Sequence, residues 1–348
     1  MKIAITTVQI PFVSGGAEAL AAGLKKALIK AGHEAEIVSM PFMDQPAHLL
    51  EEYIVASRLM DINNSWAGHI DLCIGLKFPA YYIPHDNKVI WALHQHRQAY
   101  ELYDTDFSPI KNDIEGRHIR SIVENADNRY LPEAKRIYTI SGNVSERMSR
   151  FNNLESTPLY HPCPDMESFY PGDYEDYILM PSRINITKRQ ELAIEALSKT
   201  KSDIKLYIVG RADNSAVKGH LINVIKQYGM QERVRLFDFV PHEEKLKLYS
   251  RARAVLFIPV DEDLGYITIE GMASSKAVIT CSDSGGPLEF VDNGITGLVA
   301  QPDAESIAQA IDELALSKHL AVEMGTRANI RLKAMDITWE HVVKELTR

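Results

Sequence analysis

Short apolar runs alternate with longer stretches of helical spacing along most of the chain. Lys2–Thr7, Glu34–Ser39, Leu72–Leu76, Lys88–Leu93 and Arg136–Ile140 read as strands. Between the first two, Ala17–Ala31 places apolar residues three and four apart and stops at Gly32, the signature of a helix and its end. Such alternation predicts parallel βαβ units. Leu159–Gly172 (LYHPCPDMESFYPG) has no period and is dense in proline and turn residues, which marks an interdomain linker. A second series then begins, with strands at Tyr177–Pro181, Lys205–Gly210, Val234–Phe239, Ala254–Ile258, Ala277–Cys281 and Gly297–Ala300. The pattern therefore predicts an α/β protein of two doubly wound domains, 1–165 and 172–335. A last helix, 337–348, is able to pack back on the first of them.

Length and composition sharpen this reading without redirecting it. A chain of 348 residues exceeds one small core, and 45% hydrophobic with 24% charged residues is a globular profile. The formal charge of -9 argues against nucleic acid as a partner. Cys73, Cys163 and Cys281 have no paired spacing, which fits a reducing compartment and neither a disulfide framework nor a zinc site. The opening MKIAITTVQI reads as a buried strand and not as a leader, and no run reaches the roughly 18 apolar residues of a membrane span. A cytoplasmic location is expected. Pro109–Arg129 mixes Lys111, Arg117, Arg120 and Arg129 with acids, which favours a solvated face; weak peripheral contact with the inner membrane face stays open.

Doubly wound domains bind ligands beyond the carboxyl ends of their strands. There, PVDEDLGYITIE (259–270) runs from an apolar strand through an acidic loop into a helix starting at about Gly265–Ile267. A helix start offers backbone N–H groups to a diphosphate, so Gly265, Tyr266 and Ile267 are candidate donor-binding positions. Glu262 before it and Glu270 inside it can bracket a ligand. Spacing alone favours an acidic cap loop and a solvated helical glutamate, since acidic residues are common in a helix's first turn.

The stretch from Pro259 to Pro302 resembles the carboxyl-terminal signature of family-4 retaining glycosyltransferases of the GT-B fold. The matching positions are Glu262, Glu270, Gly271–Ser274, Ala277-Val278, Gly285-Gly286, Glu289, Gly294 and Gly297. ILMPSRINITK (178–188) resembles the family's strand, loop and lysine element, LYIVGR (206–211) its next strand, which ends at Gly210, and LFDFV (236–240) the segment whose backbone meets the base. Phe239 stands where that last segment usually has glycine, which leaves the base undetermined.

The resemblance implies two Rossmann-like domains facing across a cleft, and transfer of a hexosyl unit from a nucleotide diphosphate sugar, a UDP- or GDP-sugar, to a glycan or lipid-linked acceptor in surface polysaccharide biosynthesis. No cofactor and no metal are expected. It assigns Arg183 and Lys188 to the diphosphate, Glu262 to the sugar, Glu270 to the ribose and His94 to the transferred sugar. Gly15 and Gly16 of the Ser14–Glu18 loop line the donor side, and His96, Arg97 and Ser141 are candidates for the acceptor side. His94-x-His96 could also suggest a metal, but no third ligand is evident. Two alternatives remain at this level: a nucleotide-sugar epimerase of the same fold, and a non-catalytic nucleotide-sugar binding protein.

Overall fold

The computed structural model describes residues 1–12 and 15–348. The chain divides into two compact units, residues 1–164 with 337–348, and residues 165–336.

In the first unit, β1 (Lys2–Gln9) is buried from Ile3 to Val8, longer than the apolar pattern predicts because Gln9 still pairs with Pro41 at the strand's end. α1 (Gly16–Lys30) returns to β2 (Glu34–Pro41), and α2 (Leu49–Arg58) follows. A polar hairpin of two-residue strands, β3 (Asn64–Ser65) and β4 (Gly68–His69), precedes β5 (Leu72–Gly75). Then come β6 (Lys88–Ala92), α3 (Ile114–Tyr130), β7 (Arg136–Thr139), α4 (Gly142–Asn152) and the short edge strand β8 (Thr157–Pro158). Asp113 and Ser141 cap α3 and α4 by accepting from Gly116 and Val144 N–H. The parallel order is β2-β1-β5-β6-β7-β8.

The second unit carries β9 (Tyr177–Met180), α5 (Gln190–Ser198), β10 (Lys205–Val209), α6 (Ser215–Gln227), β11 (Val234–Phe237) and α7 (His242–Arg251). β12 (Ala254–Leu256), α8 (Tyr266–Ala273), β13 (Val278–Cys281), β14 (Gly297–Ala300), α9 (Ala304–Leu316) and α10 (Lys318–Ala334) complete it. Its sheet is again parallel, in the order β11-β10-β9-β12-β13-β14. Counted within the unit, that is 3-2-1-4-5-6, the dinucleotide-binding arrangement. The order in which strands are added reverses at the parallel pair β9 and β12, so the connections after these two strands leave on opposite faces and open a crevice at the switch point. The strands are fully buried at Ile178–Met180 and Ala254–Leu256, because helices cover both faces.

The terminal helix α11 (Trp339–Thr347) belongs to the first unit. Its Trp339 lies so close to α1 that a Cβ on Gly23 would come within 2.5 Å of the indole. The same ring stacks on His161 at 6.0 Å and meets Trp91 edge-on at 6.4 Å. Among the described residues, no helix is long and apolar enough to cross a membrane.

Candidate functional site

Three loops of the second unit, after β9, β12 and β13, are knitted together by backbone bonds at the switch point. Val260 N–H donates to Thr187 carbonyl at 2.8 Å, Asp261 N–H to Asp283 carbonyl at 2.9 Å, and Glu262 N–H to Ser284 carbonyl at 2.9 Å. Gly286 N–H closes the set on the Glu262 carbonyl at 2.8 Å. The close approach explains one glycine of the Gly285-Gly286 pair: a Cβ on Gly286 would meet the Asp263 carbonyl oxygen at 2.6 Å.

On this frame Lys188 and Glu262 form a direct ion pair, half-buried on both sides. The Lys188 ammonium also sits 5.5 Å from the centre of the Phe257 ring. Gly265 lets the chain pass over that ring, since its φ is +84° and a Cβ would lie 2.6 Å from Phe257. It occupies the N-cap position of α8, so Tyr266 and Ile267 open the helix as the sequence suggests. Arg189, next to Lys188, adopts a left-handed conformation and clamps Asp283 through two bonds of 2.8 and 2.5 Å. That bond to the carboxylate holds the Arg189 guanidinium above its ordinary pKa.

Arg183 stands at the exposed end of the β9 loop, 3.1 Å from Asp213. Its backbone is fixed by the buried Gln190, whose amide donates to Ser182 Oγ at 2.9 Å and Arg183 carbonyl at 3.0 Å. Gly210 touches the same loop, because a Cβ there would lie 2.1 Å from the Ser182 carbonyl oxygen. Its visible role is this close approach.

Glu270 takes its partners from another helix. It is buried on α8, with Oε1 accepting from Lys245 at 2.5 Å and Oε2 from Tyr249 at 2.5 Å. Both partners come from one face of α7, four residues apart. Phe169 completes the group, with the Lys245 ammonium 5.3 Å from its ring centre. Lys245 and Tyr249 were missed by sequence reading; an i, i+4 pair of a cation and a phenol was the only signal available. Phe239, placed at the base-contacting segment, is largely exposed, with the Arg211 guanidinium 5.2 Å from its ring centre.

In the first unit the candidates fall in several surroundings. His94 follows β6 and is half-buried, with Nδ1 2.5 Å from the Gln95 carbonyl oxygen. A carbonyl only accepts, so Nδ1 carries the proton. His96 departs from the expectation that it serves an acceptor: it is buried, with its ring 4.9 Å from Phe78. Burial pushes its pKa down to about 3, so it is a neutral packing residue. Arg97 is held by Glu101 at 2.5 Å, a carboxylate that Arg147 approaches at 3.3 Å. Ser141 is fully buried as the α4 cap. Gly15 precedes α1, its N–H donating to Glu18 at 2.7 Å, and Gly16 is that helix's first residue. Ser14 lies outside the described residues. Among the described residues, no group of three His, Cys, Asp or Glu side chains is arranged to hold a metal ion.

Residues 167–331 match the family described as "Glycosyl transferases group 1". Human alpha-1,3/1,6-mannosyltransferase is 25% identical over 181 residues, 48% of this chain and 43% of that protein. The Campylobacter jejuni N-acetylgalactosamine-N,N'-diacetylbacillosaminyl-diphospho-undecaprenol 4-alpha-N-acetylgalactosaminyltransferase is 24% identical over 233 residues, 65% of this chain and 61% of that one. The chain thus spans about half the length of the curated relatives it matches. Among solved structures, sucrose-phosphate synthase from Thermosynechococcus elongatus aligns over 100% of this chain and 98% of its own, with a TM-score of 0.79 at 17% identity. Anabaena HepE, solved with UDP and glucose, aligns over 100% and 98% with a TM-score of 0.72 at 15% identity. These likenesses establish the GT-B fold of two Rossmann-like domains.

Proposed function

From the match of residues 167–331, in the second unit, to the glycosyl transferases group 1 family, we propose that the protein moves a hexosyl unit from a nucleotide diphosphate sugar to a glycan or lipid-linked acceptor, with retention at the anomeric carbon and without a metal. The observation that carries this reading is the Lys188–Glu262 pair at the switch point of a 3-2-1-4-5-6 sheet.

An ammonium and a carboxylate that neutralise each other can each be redirected by a ligand presenting both charges' partners. A donor diphosphate engages Lys188, with Arg183 beside it, and sugar hydroxyls engage Glu262. The bond from the anomeric carbon to the phosphate oxygen breaks with its electron pair passing to the phosphate. The acceptor oxygen bonds that carbon on the same face, and its hydroxyl proton moves to the departing phosphate. No protein nucleophile is needed. The cationic side chains stabilise the charge growing on the leaving group, a contribution of about 3–4 kcal/mol for one well-placed donor. Glu270 takes the ribose hydroxyls in exchange for its Lys245 and Tyr249 bonds, and His94 serves the transferred sugar. UDP and GDP are the expected nucleotides, and the Campylobacter jejuni relative, whose name gives a diphospho-undecaprenol acceptor, supports the lipid-linked class.

The test is proton NMR of the protein with UDP- and GDP-hexoses and a panel of glycosides. Transfer should give a product with the donor's anomeric configuration, reduced by about 100-fold or more in Lys188→Ala. An inverted product overturns retention. Sugar conversion with no acceptor present would instead mark an epimerase.

A further inference from the structure

The β6–α3 loop that carries His94 is tied to a buried carboxylate. Asp127, on α3, is fully buried, and among the described residues it forms no ion pair. Four donors converge on it instead. Oδ1 accepts from Tyr82 at 2.7 Å and Tyr81 at 3.1 Å, and Oδ2 accepts from Tyr100 at 2.6 Å and the Gln95 amide at 3.1 Å. Asn152 joins the second pair: its Nδ2 donates to Tyr100 Oη at 3.2 Å, and its Oδ1 accepts from Gln95 at 2.5 Å. Burial pushes the Asp127 pKa up, and the four bonds oppose it. A carboxylate buried without a cation is costly and is tolerated where its hydrogen bonds are complete.

The two oxygens do different things. Oδ1 holds Tyr81 and Tyr82, in the turn after β5. Oδ2 holds both ends of the segment Gln95–Tyr100, directly after His94. Leu93, Gln95 and His96 are all buried, so His94 is the half-exposed residue in a clamped run. The Gln95 carbonyl is also the group that accepts from His94 Nδ1. A continuous chain of bonds therefore runs from Asp127 Oδ2 through Gln95 to the imidazole.

We propose that Asp127 is a positioning residue that, through Gln95 and Tyr100, fixes the ring orientation and tautomer of His94 for sugar transfer. The inference rests on the assignment of His94 to the transferred sugar. With Oδ2 holding the Gln95 side chain, the Gln95 carbonyl keeps its place against His94, Nδ1 keeps its proton and Nε2 carries the lone pair that a sugar hydroxyl can address. Asn in place of Asp127 presents two N–H groups toward two of the donors, which the Gln95 amide can meet only by turning over.

The experiment compares Asp127→Asn, Tyr100→Phe and Tyr82→Phe in the full chain. Long-range proton–nitrogen NMR of labelled protein reads the His94 tautomer, with the resonance assigned by its loss in His94→Asn. Tyr82→Phe removes an Oδ1 bond of the same kind, so a purely structural role predicts the same outcome for all three. The positioning role predicts that Asp127→Asn and Tyr100→Phe mix the His94 tautomers and lower kcat about tenfold with donor KM changed less than twofold, while Tyr82→Phe leaves both unchanged. Should Asp127→Asn fail to fold, Tyr100→Phe carries the test alone. A His94 tautomer unaltered in Tyr100→Phe overturns the inference. The tautomer readout requires no turnover, so it separates this inference from the functional reading, which fails on its own if His94→Ala retains full activity.

Discussion

Gly210→Ala and Gly219→Ala are the same chemical change with opposite predicted signs. A Cβ at Gly210 would lie 2.1 Å from the Ser182 carbonyl oxygen, 2.7 Å from its carbon and 3.2 Å from Arg183 N. These are backbone atoms, so no rotamer relieves the clash, and the loop must retreat by about 1 Å. The loop resists, because Gln190 grips Ser182 and Arg183, and Ile184 N–H bonds the Arg211 carbonyl at 2.9 Å. The backbone φ of +156° adds strain for any residue with a side chain. Overpacking of roughly 1–3 kcal/mol and backbone strain of a similar size sum to about 2–6 kcal/mol. For a domain of this size, that lowers Tm by about 4–24 °C. Gly219 lies exposed within α6, and a Cβ there meets nothing within 4 Å. Alanine at that position should stabilise by about 0.5–1 kcal/mol, raising Tm by a few degrees. Thermal unfolding measures both, and steady-state kinetics adds the functional half: displacing Arg183 by about 1 Å should cost about 100-fold in kcat/KM. A Gly210→Ala protein that melts within about 2 °C of wild type and turns over normally would refute the reasoning.

Two further predictions concern buried titrating groups. Burial holds His96 at a pKa of about 3 and His161 at about 4, both neutral when folded. The unfolded chain protonates them near pH 6.5, so their contribution is complete above that pH and is lost as pH falls toward 4. The slope approaches 1.4 kcal/mol per pH unit for each, at about its full value below pH 6. Melting between pH 7.5 and 4.5 should show it, with a shallower slope in His96→Gln; an equal slope in that variant would contradict the assignment. In the second unit, Lys276 is fully buried, 3.4 Å from the centre of the Tyr174 ring and 3.0 Å from the Asp173 carbonyl oxygen. Desolvation lowers its pKa to about 7, below the unfolded value, so stability rises with pH from 7 toward 10.5. Lys276→Met should raise Tm at pH 7 and abolish that rise, whereas a lower Tm would show that its bonds to the Gly172 and Asp173 carbonyls outweigh burial of the ammonium.

The parts visible in the amino-acid sequence and the parts hidden from it differ by a physical criterion. Strands buried on both faces must be apolar, so β1, β9, β12 and β13 stand out as runs of Ile, Leu and Val. The β3–β4 hairpin does not, because two exposed polar residues per strand carry no period. The acidic loop with Glu262 and the helix entry at Gly265 were legible because both are local, and Lys188 through its resemblance to a known loop. Their pairing is not local: 74 positions separate Lys188 from Glu262, and the pairing of β9 with β12 brings their loops together. The same holds for Glu270, whose expected exposure to ribose conceals a salt bridge to Lys245 from a different helix. His96 shows the converse error. Proximity in sequence to His94 suggests a shared task, yet the turn after β6 leaves His94 half-buried and packs the His96 ring on Phe78.

The central claim is that the second unit holds a nucleotide diphosphate sugar at Arg183, Lys188 and Glu262. The direct measurement is a thermal-shift comparison of wild type and Lys188→Ala against UDP-, GDP- and ADP-sugars. At a hundredfold excess over Kd, binding stabilises the folded state by about 2.7 kcal/mol. The account predicts a shift of several degrees with one nucleotide class in wild type, largely lost in Lys188→Ala. No shift with any nucleotide sugar, or one that survives the substitution undiminished, would contradict it.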